Sequence, residues 1–254
     1  MTALRPILLS IPHSSLFVPK ELRGMLKIDD KELLRNIDLF TDRLYDLEGY
    51  YKVIGTICRI CVDVNRAPDD FSKEYDMGHD GVAVNTTYFG NPVYKKPPSE
   101  KLMDTIVAAY HTPYHEQIDK LMPKVKFLFD CHSYLPRGPK VKKDAGEKRP
   151  DFNLGNRRFS TSTREHMVFA RDFFKKRNYT VGVNVPYIGG YIIAHHCHRR
   201  RVPGTFVPGM QIEINQALYM DHDTLEPLHG NIEEMRALLQ EFVDAFYGEF
   251  RKSL

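Results

Sequence analysis

Lys126-Phe127-Leu128-Phe129-Asp130-Cys131-His132-Ser133 is the stretch on which the fold turns. KFLFD is a short run of apolar residues with a single late charge, and it reads as a compact buried strand that ends at Cys131-His132-Ser133. Pro6 to Ile11, PILLSI, has the same form and ends at Pro12 and His13. Two short apolar strands that each deliver a histidine at the end suggest a sheet with its chemistry along one edge.

Further strands are expected at Tyr51 to Val64, ending in the polar string Asp63-Val64-Asn65-Arg66-Ala67-Pro68-Asp69-Asp70, at Tyr179 to Val185, and at Met210 to Ile214 through Glu213. Between them lie helical patterns. Asp30 to Tyr50 has Leu33, Leu34, Ile37, Leu44 and Leu47 at spacings that share one face. A second helix starts near Ser99 as N-cap and is interrupted or kinked at Pro113, unless a new one begins there. Glu165 to Arg177 forms a third. Asn231 to Phe250 forms a fourth, with Ile232, Met235, Leu238, Leu239, Phe242 and Phe246 on its apolar side. Pro136 to Asn156, rich in Pro, Gly and Lys, reads as a long functional loop. Strands alternating with helices define an α/β class with a largely parallel sheet, in which sites lie beyond the carboxyl ends of strands.

The chain of 254 residues is 42% hydrophobic and 27% charged, which excludes a disordered or fibrous protein and fits one domain over residues 1–254. A net charge of +3, from 36 basic and 33 acidic side chains, is too balanced to indicate a nucleic-acid partner. No apolar run approaches the ~20 residues of a membrane helix. The opening MTALRPILLSIP lacks the core and cleavage site of a signal peptide, so a cytoplasmic protein with no membrane partner is expected. Cys58 and Cys61 are spaced as CxxC, but in a strand they face opposite sides and no second pair completes a site. Reduced structural cysteines are expected.

The side chains suited to chemistry are few. His13 and His132 each end an apolar strand, and two histidines plus one carboxylate are a common ligand set for a catalytic zinc. The carboxylate has three sources, Asp38, Asp42 and Asp46, which share a helical face at this spacing and are not separated by it. Glu213 lies inside an apolar strand, where a charge is costly unless paired. It is either a general base beside such a metal or a water-facing residue of an edge strand. Arg66 suits a substrate carboxylate, or else pairs with Asp63, Asp69 or Asp70. Asp130 is placed either to orient His132 or to begin a turn. The basic run His195 to Arg201 reads as a solvated loop, and Gly189-Gly190 as a turn that allows close backbone approach.

Seven strings in order carry a resemblance. They are Ser10-Ile11-Pro12-His13-Ser14, Asp38 with Arg43-Leu44-Tyr45, Asp63 to Asp70, Asp130-Cys131-His132-Ser133, Arg149-Pro150-Asp151-Phe152-Asn153-Leu154-Gly155, Gly189-Gly190-Tyr191-Ile192, and Gln211-Ile212-Glu213-Ile214-Asn215 followed by Tyr219-Met220. Together they resemble the N-formylglutamate amidohydrolases, over His13 to about Met220, and the skeleton is similar to zinc carboxypeptidases. The resemblance implies a three-layer α/β fold with a mixed, largely parallel sheet of the carboxypeptidase kind. It also implies one zinc ion on His13, Asp38 and His132, Glu213 as base, and Asn65, Arg66 and His195 as contacts to a small carboxylate-bearing amide. A peptidase or cell-wall amidase on the same scaffold is the alternative, followed by a non-catalytic binding protein. One departure stands out: Ala194 precedes His195 where the resembled enzymes have arginine, and Arg199, Arg200 or Arg201 is left to replace it.

Overall fold

The computed structural model describes residues 4–71, 81–197 and 206–252. Among these residues, six strands form one sheet in the order β2-β1-β3-β6-β4-β5. They are β1 (Arg5–Ile11), β2 (Tyr50–Ile54), β3 (Phe127–Tyr134), β4 (Phe152–Gly155), β5 (Val181–Val183) and β6 (Gly209–Asn215). The first four in spatial order run parallel, β4 pairs antiparallel with β6, and β5 follows β4 in parallel. The sheet is therefore mixed and mostly parallel, as expected. The helices are α1 (Lys20–Arg23), α2 (Asp30–Leu34), α3 (Thr41–Leu44), α4 (Glu100–Ile106), α5 (Thr112–Leu121), α6 (Arg164–Lys175), α7 (Tyr191–His196) and α8 (Asn231–Phe250).

β3 is buried at every position, and its two-residue period sorts the side chains by face. Phe127 and Phe129 pack on Phe246 of α8 at ring separations of 4.6 and 5.0 Å. Burying each of these rings stabilises the fold by roughly 1.5–3 kcal/mol. Asp130 points to the opposite face, where the Ser10 hydroxyl donates to it and also meets the Tyr114 hydroxyl of α5. Helical layers thus cover both faces. Register then sets a polar ladder across the sheet: Asp130 lies opposite Ser10 and Gln211, and His132 opposite Glu213, which in turn faces Asn153.

Several expectations are corrected by the structure. The segment from Asp30 to Tyr50 is no single helix; it breaks at a turn that puts Phe40 at φ 66° and hydrogen bonds the Thr41 hydroxyl to the Asp38 carbonyl. The strand expected to reach Val64 stops at Ile54. There Gly55 lies so close to β1 that a Cβ would sit 2.1 Å from the Pro12 carbonyl oxygen. Beyond it the chain turns and the Cys61 N–H bonds the Cys58 carbonyl, so the two cysteines lie on a turn and not on opposite faces of a strand. All four cysteines are nevertheless buried and free.

β3 runs on to Tyr134 because pairing with β6 continues to Asn215, so His132 lies within the strand and not after it. Pro113 lies in the first turn of α5, so a second helical part does begin there, joined to α4 by a single π-helical turn, Val107–His111. The Pro136 to Asn156 loop is organised. It closes by a bridge between Arg137 and Lys148, Arg149 grips Asp144 with two nitrogens, and its last residues belong to β4. Ser99 caps α4, and α8 has the expected limits.

Candidate metal centre and its cleft

Three distant segments meet at the polar face of β3. The Ser10-to-His13 end of β1 brings His13, the centre of β3 brings His132, and the turn before α3 brings Asp38. That turn is tied down from several directions. The Asp38 N–H donates to the His13 carbonyl at 3.2 Å, the Tyr219 hydroxyl donates to the Leu39 carbonyl, and the Gln216 amide donates to the Ile37 carbonyl. His13, Asp38 and His132 are buried, and one ligand atom from each lies within 4.8 Å of the others. Asp42 and Asp46 are both exposed, and Asp46 pairs with Lys52. With the helix broken before Thr41, the shared acidic face does not exist, and Asp38 is the member that enters the site.

The histidines are oriented alike. His13 Nε2 donates to Asp63 Oδ1 at 2.9 Å, and His132 Nε2 lies 3.0 Å from Asp130 Oδ2. Their Nδ1 atoms therefore face Asp38 Oδ2, at 3.5 and 3.2 Å. Two ring nitrogens and a carboxylate converge on one point, and a positive charge is needed between them. The donor set fits a divalent cation of the zinc type, with carboxylates behind both histidines. Burial disfavours a charged His132, but Asp130 and Asp38 outweigh it and hold the ring's pKa well above the usual value. Burial likewise opposes the Asp38 carboxylate, and bonds from His13 and His132 outweigh it, so its pKa falls. Asp63 is held well below the carboxylate range because His13, Arg59 and Arg66 outweigh its desolvation.

Glu213 stands next to His132 on β6, 6% exposed, and burial pushes its carboxyl up to about 8. It is therefore an inward-facing residue of a central strand. His13, Asp38, His132 and Glu213 line a cleft of about 650 Å³, together with Arg59, Arg66 and Arg149. Arg149 lies between the rings of Tyr134 and Tyr187 at 5.2 and 5.0 Å. Arg59 bonds Asp63 at 3.1 Å and sits over Tyr88. Sequence reading passed over Arg59; an arginine between two cysteines in an otherwise apolar segment was the available signal.

Of the expected substrate contacts, Asn65 and Arg66 line the cleft. The Asn65 Oδ1 accepts from Ile192 N–H at 2.8 Å, so its Nδ2 is turned toward Asp130, 3.3 Å away. The carbonyls of three consecutive residues are held: Val64 by His115 at 2.9 Å, Asn65 by the Tyr191 N–H, and Arg66 by His111 at 2.8 Å. This histidine support was not anticipated. His195 is not among the described cleft-lining residues; it stacks on Tyr191, whose hydroxyl meets its Nδ1 at 3.0 Å. Arg199, Arg200 and Arg201 lie outside the described residues.

Comparison with known proteins follows the same lines. An N-formylglutamate amidohydrolase from Ralstonia eutropha JMP134 superposes with a TM-score of 0.83 at 20% identity, covering 100% of this chain and 96% of its own. A gene product from Agrobacterium tumefaciens superposes with a TM-score of 0.73 at 17% identity, covering 98% and 93%. At these identities the likeness shows the fold. No curated protein matches the sequence. No described helix is long and apolar enough to cross a membrane. The family model for N-formylglutamate amidohydrolase matches residues 5–220, and the chain belongs to that family.

Proposed function

We propose that this protein is a zinc-dependent hydrolase of the amide bond in a small N-acylated amino acid bearing a carboxylate, with N-formylglutamate as the foremost substrate. The observation that carries the reading is the convergence of His13 Nδ1, His132 Nδ1 and Asp38 Oδ2 beside the buried Glu213. A divalent ion bound there supplies Lewis acidity toward the acyl oxygen and toward water. Glu213 takes a proton from the attacking water and hands it to the departing nitrogen, a role suited to a carboxylate whose burial makes it a stronger base. Arg66, anchored with Asn65, receives the substrate carboxylate, and Arg59 and Arg149 add positive charge to the cleft walls. His195 supports this wall through Tyr191.

The test is a panel of N-formyl, N-acetyl and dipeptide substrates with the zinc-loaded protein. Expected are release of formate from N-formylglutamate, one metal ion per chain, loss of turnover on chelation and recovery with zinc. Turnover of dipeptides in preference to formyl amino acids would instead favour a peptidase on this scaffold. A metal-loaded protein that hydrolyses none of them would overturn the reading.

A further inference from the structure

Gln211 and Glu213 are two residues apart on β6 and share its cleft-facing side. Gln211 is buried, and its two amide atoms are both engaged. The Gly190 N–H donates to its Oε1 at 2.7 Å, and its Nε2 donates to Glu213 Oε1 at 2.6 Å. A backbone N–H can only donate, so Oε1 must face Gly190. That leaves Nε2, a donor, facing the carboxylate. Rotating the amide would oppose two donors at Gly190 and two acceptors at Glu213, so this orientation is fixed by chemistry. Asn65 Nδ2 approaches the same Oε1 at 3.5 Å, and a Cβ on Gly190 would lie 2.4 Å from the Asn65 amide. Glu213 Oε1 is thus occupied, while Oε2 has no hydrogen-bond partner among the described residues on a side chain that lines the cleft.

We infer that Gln211 is a positioning residue for the base: its amide, locked by the Gly190 N–H, holds Glu213 Oε1 and presents Oε2 alone to the reacting water, joining the base to the Asn65 wall that carries the substrate grip. The inference rests on the base role proposed for Glu213. It accounts for a buried amide on β6 two residues before the buried Glu213, and it explains why a side chain that cannot titrate stands beside the base. Glutamate at position 211 would keep the bond to Gly190 but turn an acceptor toward Glu213.

The experiment compares Gln211→Leu and Gln211→Glu with the parent, each purified and loaded with zinc. The first readout is a crystal structure of Gln211→Leu, in which the Glu213 carboxylate is expected to leave its parent position. The second is N-formylglutamate hydrolysis, in which kcat is expected to fall about 30- to 100-fold while KM stays within about threefold, since a base misplaced by about 1 Å costs on the order of 100-fold. Gln211→Glu is expected to be no more active than Gln211→Leu. The structural readout needs no turnover, so it judges Gln211 even if the parent fails on this substrate and the functional reading falls. Glu213 unmoved in Gln211→Leu overturns the inference. So does an unchanged kcat, or a loss of kcat that only tracks loss of zinc or of folded protein.

Discussion

Asp63 Oδ1 stands 2.9 Å from His13 Nε2, on the ring nitrogen opposite the one that faces Asp38. Asp130 does the same for His132. Each carboxylate fixes the tautomer that leaves Nδ1 bare for a cation and makes that nitrogen a better donor.

Asp63→Asn and Asp130→Asn are therefore expected to weaken zinc affinity by about 10- to 100-fold each without removing a ligand. Competition with a chelator of known affinity measures this. His13→Ala or His132→Ala should abolish stoichiometric binding. Parent-like affinity in both Asn variants would show that the buried carboxylates serve only packing.

Glu213 leads to a pH prediction. Burial raises its carboxyl from 4.5 to about 8, with His132 and Arg149 opposing and Asp38 adding to the rise. A base works when ionised, so kcat/KM should climb with pH. The midpoint should lie above 4.5, drawn down from about 8 when a cation occupies the neighbouring site. Glu213→Gln should lower kcat by about 100- to 10,000-fold with zinc content unchanged. A profile from pH 4 to 9 whose acid limb is centred near 4.5 would mean the carboxyl titrates as if in water.

How much of this was legible beforehand differs by residue. His13 and His132 could be found because each lies in or at the end of a short apolar strand, and hydrophobic runs are the strongest local signal in a chain. Glu213 stood out for the same reason, as a charge inside such a run. Asp38 could not be separated from Asp42 and Asp46 by spacing, because the spacing was read on a helix that the left-handed Phe40 interrupts. The choice is made by contacts from Gln216 and Tyr219, about 180 residues away. The supporting residues His111, His115 and Gln211 carry no local signature, since their function lies in bonds to backbone or to side chains on other elements. β4 was hidden in a polar loop because it is only four residues long and its burial comes from β6.

Gly190 offers a test of how closely the cleft wall is fitted. Its φ of −90° would accept any residue, so the cost of a larger one is steric, and an added Cβ would lie 2.4 Å from Asn65. Gly190→Ala should displace the Asn65 amide and Arg66 with it. The expected result is a rise in KM of about tenfold or more, with a destabilisation of about 1–3 kcal/mol. Gly24→Ala, where no atom lies within 4 Å, serves as the comparison and should leave both unchanged. Steady-state kinetics and thermal unfolding read the two effects, and equal behaviour of the variants would refute the close fit.

His115 links the wall to acid stability. Burial lowers its pKa to about 3, His111 and His195 add to the fall, and the bond to the Val64 carbonyl opposes it. His196 Nε2 also meets its Nδ1 at 2.8 Å, and Asp119 of α5 reaches the far side of His196. The ring is thus neutral in the fold but takes a proton below about 6.5 when the chain unfolds. Between about pH 6.5 and 3 the unfolded state binds more protons, so the stabilisation is complete above 6.5 and is lost as pH falls. The slope contributed is up to about 1.4 kcal/mol per pH unit. His115→Gln, which removes the titration, should lower stability at pH 7 by loss of the ring's packing and bond, yet show a shallower decline from pH 6.5 to 5. Urea unfolding at half-unit intervals measures both, and parallel curves for parent and variant would mean that the ring titrates alike in the folded and unfolded chain.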